Sequence, residues 1–171
     1  MLPGLLLLAL AQPVSAQPLE TSVKAAFLPK FARYVEWPPG ARPAAGTPIQ
    51  LCIIGSDPFG EVIDDAVAGQ RIGDNPVVVR RLAGVDGASN CHIAFVRGRT
   101  GRSTAQLLAG LRDKPVLTVT DARDGSARGM VHFAIVDGRV GFHVDAVSAA
   151  RSHLSISSRL LGIALSVRQS S

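Results

Sequence analysis

Residue types that carry enzyme chemistry are sparse in this chain. Histidine, the usual base near neutral pH, occurs 4 times in 171 residues, and cysteine occurs 2 times. There is no G-x-S-x-G elbow, P-loop, H-E-x-x-H or G-x-G-x-x-G motif, and Ser157 and Ser158 lack the glycines of a nucleophile elbow. The sequence therefore predicts no catalytic residue, no enzyme activity and no cofactor. A Ser-His-Asp set assembled from distant positions, as in a hydrolase of cell-wall material, is the alternative left open.

The two cysteines, Cys52 and Cys91, form the first candidate pair. Their number is even and no C-x-x-C is present, which favours a structural disulfide over a redox catalyst or a zinc site. The two segments that carry them have the pattern of strands that are neighbours in a flavodoxin-like order. Neighbouring strands bring Cα atoms within the roughly 4.4 to 6.8 Å that a disulfide needs. Two buried free thiols are the alternative.

The loop at residues 56–60 joins a predicted strand to a predicted helix. In an open α/β sheet, ligand crevices form where the strands end, and Ser56, Asp57 and Phe59 stand at such a place. These three residues are therefore the candidate ligand or partner loop, and free N–H groups of the following helix could hold an anion. In the alternative interpretation, Asp57 caps the helix and occupies those N–H groups itself.

Two histidines, His132 and His143, are predicted to face each other across a hairpin. Asp137-Gly138 between two runs of alternating apolar residues is the signature of a type I′ turn, and its register puts His132 opposite His143. Opposed Cβ atoms lie about 5 Å apart, so the imidazoles could share a zinc, copper or nickel ion in a weak site. Arg139 on the same face disfavours a cation, and a solvated pair is the alternative. Two charged imidazoles in contact would repel, which lowers the pKa of at least one.

The elements that position these residues follow an α/β pattern, in which apolar strands alternate with helices. Strands are predicted at residues 49–54, 70–72, 77–82, 92–96, 115–120, 131–136 and 139–144. Helices are predicted at residues 19–37 with a kink at Pro29, from the loop at residues 56–60 to residue 68, and at residues 104–111, 146–153 and 157–167. In the last of these helices, the residues predicted to face the core are Leu160, Leu161, Ala164 and Val167. The predicted fold is a single-domain α/β sandwich of helices around a mostly parallel mixed sheet, with a C-terminal β-hairpin at one edge and helices after it.

The N-terminus has the pattern of an export signal. The apolar run at residues 5–11 is followed by Pro13 and the small residues Ser15 and Ala16, which is typical of a signal peptide cleaved after Ala16. The run is too short to span a bilayer, and a buried N-terminal helix is the alternative. The predicted organisation is a signal peptide at residues 1–16 and one domain at residues 17–171, located outside the cytoplasm.

Composition limits the classes of partner. The formal net charge is +5, from 18 basic and 13 acidic residues, and the basic residues are scattered along the chain. Aromatic residues make up 5% of the chain, so stacking platforms for single-stranded nucleic acid are scarce. A hydrophobic fraction of 47% argues against a disordered chain. The sequence predicts no nucleic-acid partner.

Seven segments, taken in order, resemble a known family of periplasmic proteins. They are residues 24–28, 31–38, 55–60, 91–96, 115–121, 129–130 and 156–161, which read KAAFL, FARYVEWP, GSDPFG, CHIAFV, PVLTVTD, GM and ISSRLL. Each segment is weak alone, but the whole set with its spacing is similar to the YfiR family. The match runs across essentially the whole of residues 17–171.

The resemblance implies a non-enzymatic regulator in the periplasm. Its expected partner is an inner-membrane diguanylate cyclase, which it would repress in cyclic-di-GMP signalling and biofilm formation, or another membrane sensor such as a histidine kinase. An OmpA-like outer-membrane lipoprotein would sequester it and relieve the repression. A homodimer stays open, and so does the alternative of a periplasmic small-molecule-binding module with its crevice near Asp57.

Overall fold

The computed structural model describes residues 16–170 of the chain. The helices are α1 (Ala16–Phe27), α2 (Glu61–Val67), α3 (Thr104–Gly110), α4 (Ala146–Arg151) and α5 (Ser158–Leu161). The strands are β1 (Val35–Glu36), β2 (Ile49–Gly55), β3 (Arg71–Ile72), β4 (Asn75–Leu82), β5 (Ile93–Arg97), β6 (Leu117–Asp121), β7 (Val131–Val136), β8 (Arg139–Asp145), β9 (Ser155–Ile156) and β10 (Ser166–Arg168). The predicted signal peptide lies outside the described residues, apart from Ala16 at the start of α1.

One mixed sheet of eight strands organises the chain, in the order β10-β8-β7-β6-β5-β2-β4-β3. All neighbouring strands in this sheet are parallel except β7 with β8 and β3 with β4. The chain passes from β2 outward to β4, then returns to the other side of β2 and continues through β5, β6 and β7. The predicted mostly parallel α/β fold is thus confirmed, and the strand order reverses between β2 and β5.

Helices cover both faces of this sheet because its central strands are apolar on both faces. On one face, α1 and α2 pack on alternate residues of β2, β5, β6 and the hairpin. The centre of that core is a cluster of phenylalanines, in which the rings of Phe27 and Phe31 lie 5.3 to 6.4 Å from each other and from those of Phe133 and Phe142. On the other face, Leu107 and Leu111 of the α3 segment pack over Cys52 and Ile54.

The first predicted helix is shorter than the apolar stripe indicates. Helix α1 ends at Phe27, and residues Pro29–Tyr34 form a 3₁₀ helix instead. The break lies where Pro29 was expected to disturb the helix, because proline has no N–H to donate to the preceding turn. After it, Val35 and Glu36 leave the helical path and pair with β9. The prediction of one kinked helix through Trp37 was therefore wrong in its second half.

The predicted last helix is also mostly replaced by other structure. Only Ser158–Leu161 is helical, and β10 follows and pairs in parallel with β8. The side chain of Leu165 lies over Gly141, where a Cβ would come within 2.7 Å of it, and the Leu165 N–H donates to the carbonyl of Phe142. This tertiary contact draws the chain onto the sheet, so the hairpin is not at the edge as predicted. Of the predicted inward residues, Leu160 is buried, and the other three are half-buried.

Cys52 and Cys91 form the predicted disulfide, with a Cα–Cα distance of 5.9 Å. Cys52 lies in β2, and Cys91 directly follows the 3₁₀ turn at Ala88–Asn90 that leads into β5. Both cysteines are buried beneath α3. Within residues 16–170, no helix combines the length and hydropathy needed to cross a bilayer.

Reduction of the disulfide should destabilise the protein by about 4 kcal/mol, because the bond joins residues 39 apart in sequence and limits the unfolded chain. Urea unfolding with and without reductant measures the change in the free energy of unfolding. A Cys52→Ala/Cys91→Ala variant is the control, since reductant should leave its unfolding curve unmoved. A wild-type curve equally unmoved by reductant would contradict the prediction.

Candidate functional site

The carboxyl ends of β2 and β5 are locked together where the strand order reverses. Gly55 ends β2 with a positive φ of 92°, and a Cβ on it would lie 1.9 Å from the carbonyl oxygen of Arg97. Only glycine permits this close approach. The next residue, Ser56, donates its N–H to that Arg97 carbonyl and its hydroxyl to the carbonyl of Gly98, at 3.1 and 2.7 Å. These contacts therefore fix the backbone at the carboxyl ends of β2 and β5.

Asp57 is engaged by the protein itself. Its Oδ1 accepts from the N–H groups of Phe59 and Gly60, and its Oδ2 pairs with Arg81 Nε at 2.7 Å. Arg81 also pairs with Asp64. The hydrogen bonds to Asp64 and, second, to Asp57 raise the pKa of the Arg81 guanidinium. Asp57 thus fixes the turn that precedes α2. The N-cap residue of α2 is Gly60, so the interpretation of Asp57 as the helix cap was wrong in detail.

The other two loop residues also have structural partners. Phe59 is buried, and its ring meets Phe95 edge-on at a centroid distance of 4.8 Å. The hydroxyl of Ser56 is used in the bond to Gly98. The predicted ligand or partner loop is brought to the expected edge of the sheet, with its polar groups already bonded to protein.

A buried ion pair that the sequence interpretation missed lies at the same edge. Lys24 of α1 reaches Asp121 at the end of β6, with Nζ 2.5 Å from Oδ2, and the two residues are 3% and 8% exposed. The other oxygen of Asp121 accepts from the N–H of Arg123. A lysine within the otherwise apolar segment at residues 23–28 is the one signal that could have indicated this contact. The pair joins α1 to the carboxyl edge of the sheet.

Around this pair is a crevice of about 400 Å³ between α1, the loop after β2 and the ends of β5 and β6. Its other charges are paired as well, Arg97 with Asp124 at 2.9 Å and Arg123 with Glu20 at 2.6 Å. Burial raises the pKa of Asp124 while Arg97 opposes that shift, and the hydrogen bond from Arg123 lowers the pKa of Glu20. The crevice is thus polar, with each of these charges bonded to a neighbour.

Beside the crevice, residues 99–102 form a tight, arginine-rich turn, called here the arginine turn. The N–H of Arg99 donates to the carbonyl of Arg102, and the N–H of Arg102 donates to the carbonyl of Arg99, both at 2.9 Å. Gly101 within the turn has a φ of 78°. Both arginine side chains are exposed, and neither forms an ion pair with any residue that the structure describes. The arginine turn therefore presents two free positive charges at the carboxyl edge of the sheet.

The predicted histidine register is confirmed: His132 pairs with His143 across the hairpin, and the ring centroids are 6.5 Å apart. His132 is only 3% exposed, so a solvated pair was wrong for this residue. It is buried because parallel strand β6 places Thr120 beside it, with Thr120 Oγ1 2.8 Å from His132 Nδ1. Burial lowers the pKa of His132 most, followed by Arg128 and then by His143.

Around these two histidines, the described residues provide neither a third metal ligand nor the carboxylate of a Ser-His-Asp set. Among the described residues, no group of three or more His, Cys, Asp or Glu side chains could hold a metal ion. His143 Nδ1 lies 2.7 Å from Ser166 Oγ, yet no carboxylate within residues 16–170 is hydrogen-bonded to that imidazole. The weak metal pair at His132 and His143 stays a prediction.

Fold and site together define a doubly wound α/β domain with a charged edge where its strand order reverses. A family model described as YfiR/HmsC-like matches residues 21–165. The chain belongs to this family, as its resemblance indicated. No curated protein matches it.

Replacing Lys24 by Met should cost about 3 to 5 kcal/mol of stability, because it leaves Asp121 buried without its counter-ion. The Lys24→Met/Asp121→Asn double variant should cost less than the sum of the two single changes. Chemical denaturation of the four proteins gives the coupling energy. Glu20→Gln, which breaks the more exposed pair with Arg123, is the matched control and should have a much smaller effect. If the losses of unfolding free energy in the two single variants added up to the loss in the double variant, the predicted interaction between Lys24 and Asp121 would be contradicted.

Stability should fall as the pH drops through about 6.5, because the unfolded chain then protonates His132 more readily than the folded chain does. His132→Gln should reduce this dependence. It should not abolish it, since burial also lowers the pKa of His92. Thermal unfolding from pH 7.5 to 5 measures the slope, with the exposed His153→Gln as control. An identical slope in His132→Gln and wild type would exclude a contribution from His132.

Proposed function

We propose that this protein is a periplasmic regulator that binds an inner-membrane diguanylate cyclase and represses it, without catalysing a reaction. The observation that carries the proposal is the YfiR/HmsC-like match over residues 21–165. A disulfide and an N-terminus with the pattern of an export signal support a location outside the cytoplasm, since disulfides persist in oxidising compartments.

Repression of this kind requires no chemistry in the regulator. A bound protein shifts a conformational equilibrium only as far as it binds one conformation more tightly than the other. The regulator therefore holds the cyclase in its inactive conformation by binding that conformation preferentially. An OmpA-like outer-membrane lipoprotein that binds the regulator lowers its free concentration and so relieves the repression.

We assign the arginine turn to the contact with the membrane partner. Its charges are exposed and have no counter-ion in the described part of the chain, and its backbone is held by two hydrogen bonds. A preformed positive surface attracts an acidic surface and accelerates association. By contrast, the neighbouring charges Arg97, Arg123 and Lys24 are held in ion pairs within the protein.

Deletion of the gene should raise cellular cyclic-di-GMP and thicken the biofilm, because the cyclase loses its repressor. Expression of the wild-type protein should reverse both effects. An Arg99→Glu/Arg102→Glu variant should not, while Arg139→Glu/Arg159→Glu, with the same change in net charge at exposed positions elsewhere, should do so. Cyclic-di-GMP measured by mass spectrometry, with periplasmic protein levels matched, gives the result.

Each outcome of this experiment has a defined meaning. Unchanged cyclic-di-GMP in a deletion strain with an intact cyclase would rule out that class of partner. A change confined to the phosphorylation output of a histidine kinase would assign the regulator to that sensor instead. Equal complementation by both charge-reversed variants would place the contact away from the arginine turn.

A small-molecule-binding module is the second candidate function. The crevice near Asp57 supports it weakly, because Asp57 and its neighbours are bonded to protein groups. A different cavity on the opposite face of the sheet supports it better, and its ligand class is argued next.

A further inference from the structure

A groove of about 400 Å³ lies between α3 and α4, on the face of the sheet away from α1. Its floor is formed by Leu111, Thr118, Met130 and Ser152, each at most 5% exposed. Cavities of roughly 300 to 1,000 Å³ with mainly apolar walls are the usual sites for small ligands. The groove therefore has the size and the partly apolar lining of a ligand site.

Small residues keep this groove open. On the α3 side its wall is formed partly by Ala105 and Ala109, whose methyl groups leave the space above the floor empty. On the opposite side, Gly129 presses on β6, since a Cβ there would lie 2.7 Å from the carbonyl oxygen of Thr118. The N–H of Met130 donates to the Thr118 hydroxyl at 3.0 Å, which fixes this segment low against the sheet.

Arginines from three separate segments form the rim: Arg112 after α3, Arg128 before β7 and Arg151 at the end of α4. All three side chains are exposed, and none forms an ion pair with another described residue. Asp113 is the carboxylate in the lining. The rim is therefore positive overall, unlike the crevice at the carboxyl edge.

The floor adds hydrogen-bonding capacity. Ser152 is 2% exposed and brings a hydroxyl to the floor of the groove. The Thr118 hydroxyl accepts one bond, from Met130, and retains its own proton to donate. These two hydroxyls add hydrogen-bonding groups to the partly apolar floor.

We propose that this groove binds a small amphiphilic anion, namely a carboxylate with an aliphatic or aromatic body. The carboxylate bonds to the rim arginines, as guanidinium groups favour carboxylates. The apolar body lies on Leu108, Leu111 and Met130. An inorganic anion would leave that apolar surface wet, and a neutral molecule would leave the arginines without a counter-charge.

Octanoate is the probe, and the protein is the exported chain purified from the periplasm. Calorimetry should give a dissociation constant at least about tenfold lower for octanoate than for acetate or 1-octanol, because each of these lacks one half of the interaction. Amide chemical shifts should change at the groove residues, including Gly129 and Ser152.

Arg112→Gln/Arg151→Gln should weaken octanoate binding by about tenfold, since charge-assisted hydrogen bonds are lost. Arg139→Gln, an exposed arginine on the hairpin, is the matched control and should leave affinity unchanged. Ala109→Trp, at an exposed position of α3, should fill the groove and abolish binding while the protein stays folded.

Three results would overturn the proposal. They are 1-octanol binding as tightly as octanoate, affinity unchanged in Arg112→Gln/Arg151→Gln, and octanoate binding retained in a folded Ala109→Trp protein. Because these assays involve no membrane partner, they are independent of whether the protein represses a cyclase.

Discussion

Strands β2 and β5 are joined at both ends as well as along their length. The ladder pairs Leu51 to Gly55 with Ile93 to Arg97, the disulfide from Cys52 lies near its beginning, and Gly55 presses on Arg97 at its end. These strands flank the point where the chain reverses the order of the sheet, and the next parallel strands on each side, β4 and β6, pair directly with β2 and β5. A shift of one residue would turn the apolar residues of both faces the wrong way. The positions of α1, α2 and α3 therefore depend on this junction.

The junction explains why the charged residues of the carboxyl edge are so fully paired. With both strand ends held rigidly, Arg81, Arg97 and Asp121 project from fixed points, and each finds a partner on a neighbouring loop or helix. Lys24 is the extreme case, because a buried ammonium is tolerated only beside a counter-charge. Ion pairs that are complete within the protein stabilise this edge but leave few groups there for a ligand. Unpaired charges occur further out, on the arginine turn and around the groove.

The sequence predicts the local elements well and the long-range contacts less well. Apolar strands, the Asp137-Gly138 turn and the break at Pro29 depend on neighbouring residues, so their patterns are visible in the chain itself. The burial of Lys24 depends on Asp121, which is 97 residues away in the sequence. A hydropathy pattern predicts an exposed lysine, because it does not include so distant a partner. Likewise, residues 166–168 become a strand only because β8 offers a free edge. His132 is buried for the same kind of reason, since its cover comes from Thr120 on another strand.

The carboxyl edge of the sheet and the face covered by α3 therefore offer different means of recognition. At the carboxyl edge, the rigid backbone and the unpaired charges of the arginine turn suit a protein partner that meets a preformed surface, because such a surface loses little conformational freedom on binding. On the face covered by α3, the groove between α3 and α4 combines unpaired arginines with an apolar floor, which suits a small molecule that carries a negative charge and an apolar body. Between them, the floor residue Thr118 lies one position from Val119, which pairs with Phe95 of β5 across the same rigid sheet. A ligand in the groove would thus contact β6, and a protein at the arginine turn would contact the loop after β5, the strand that pairs with β6.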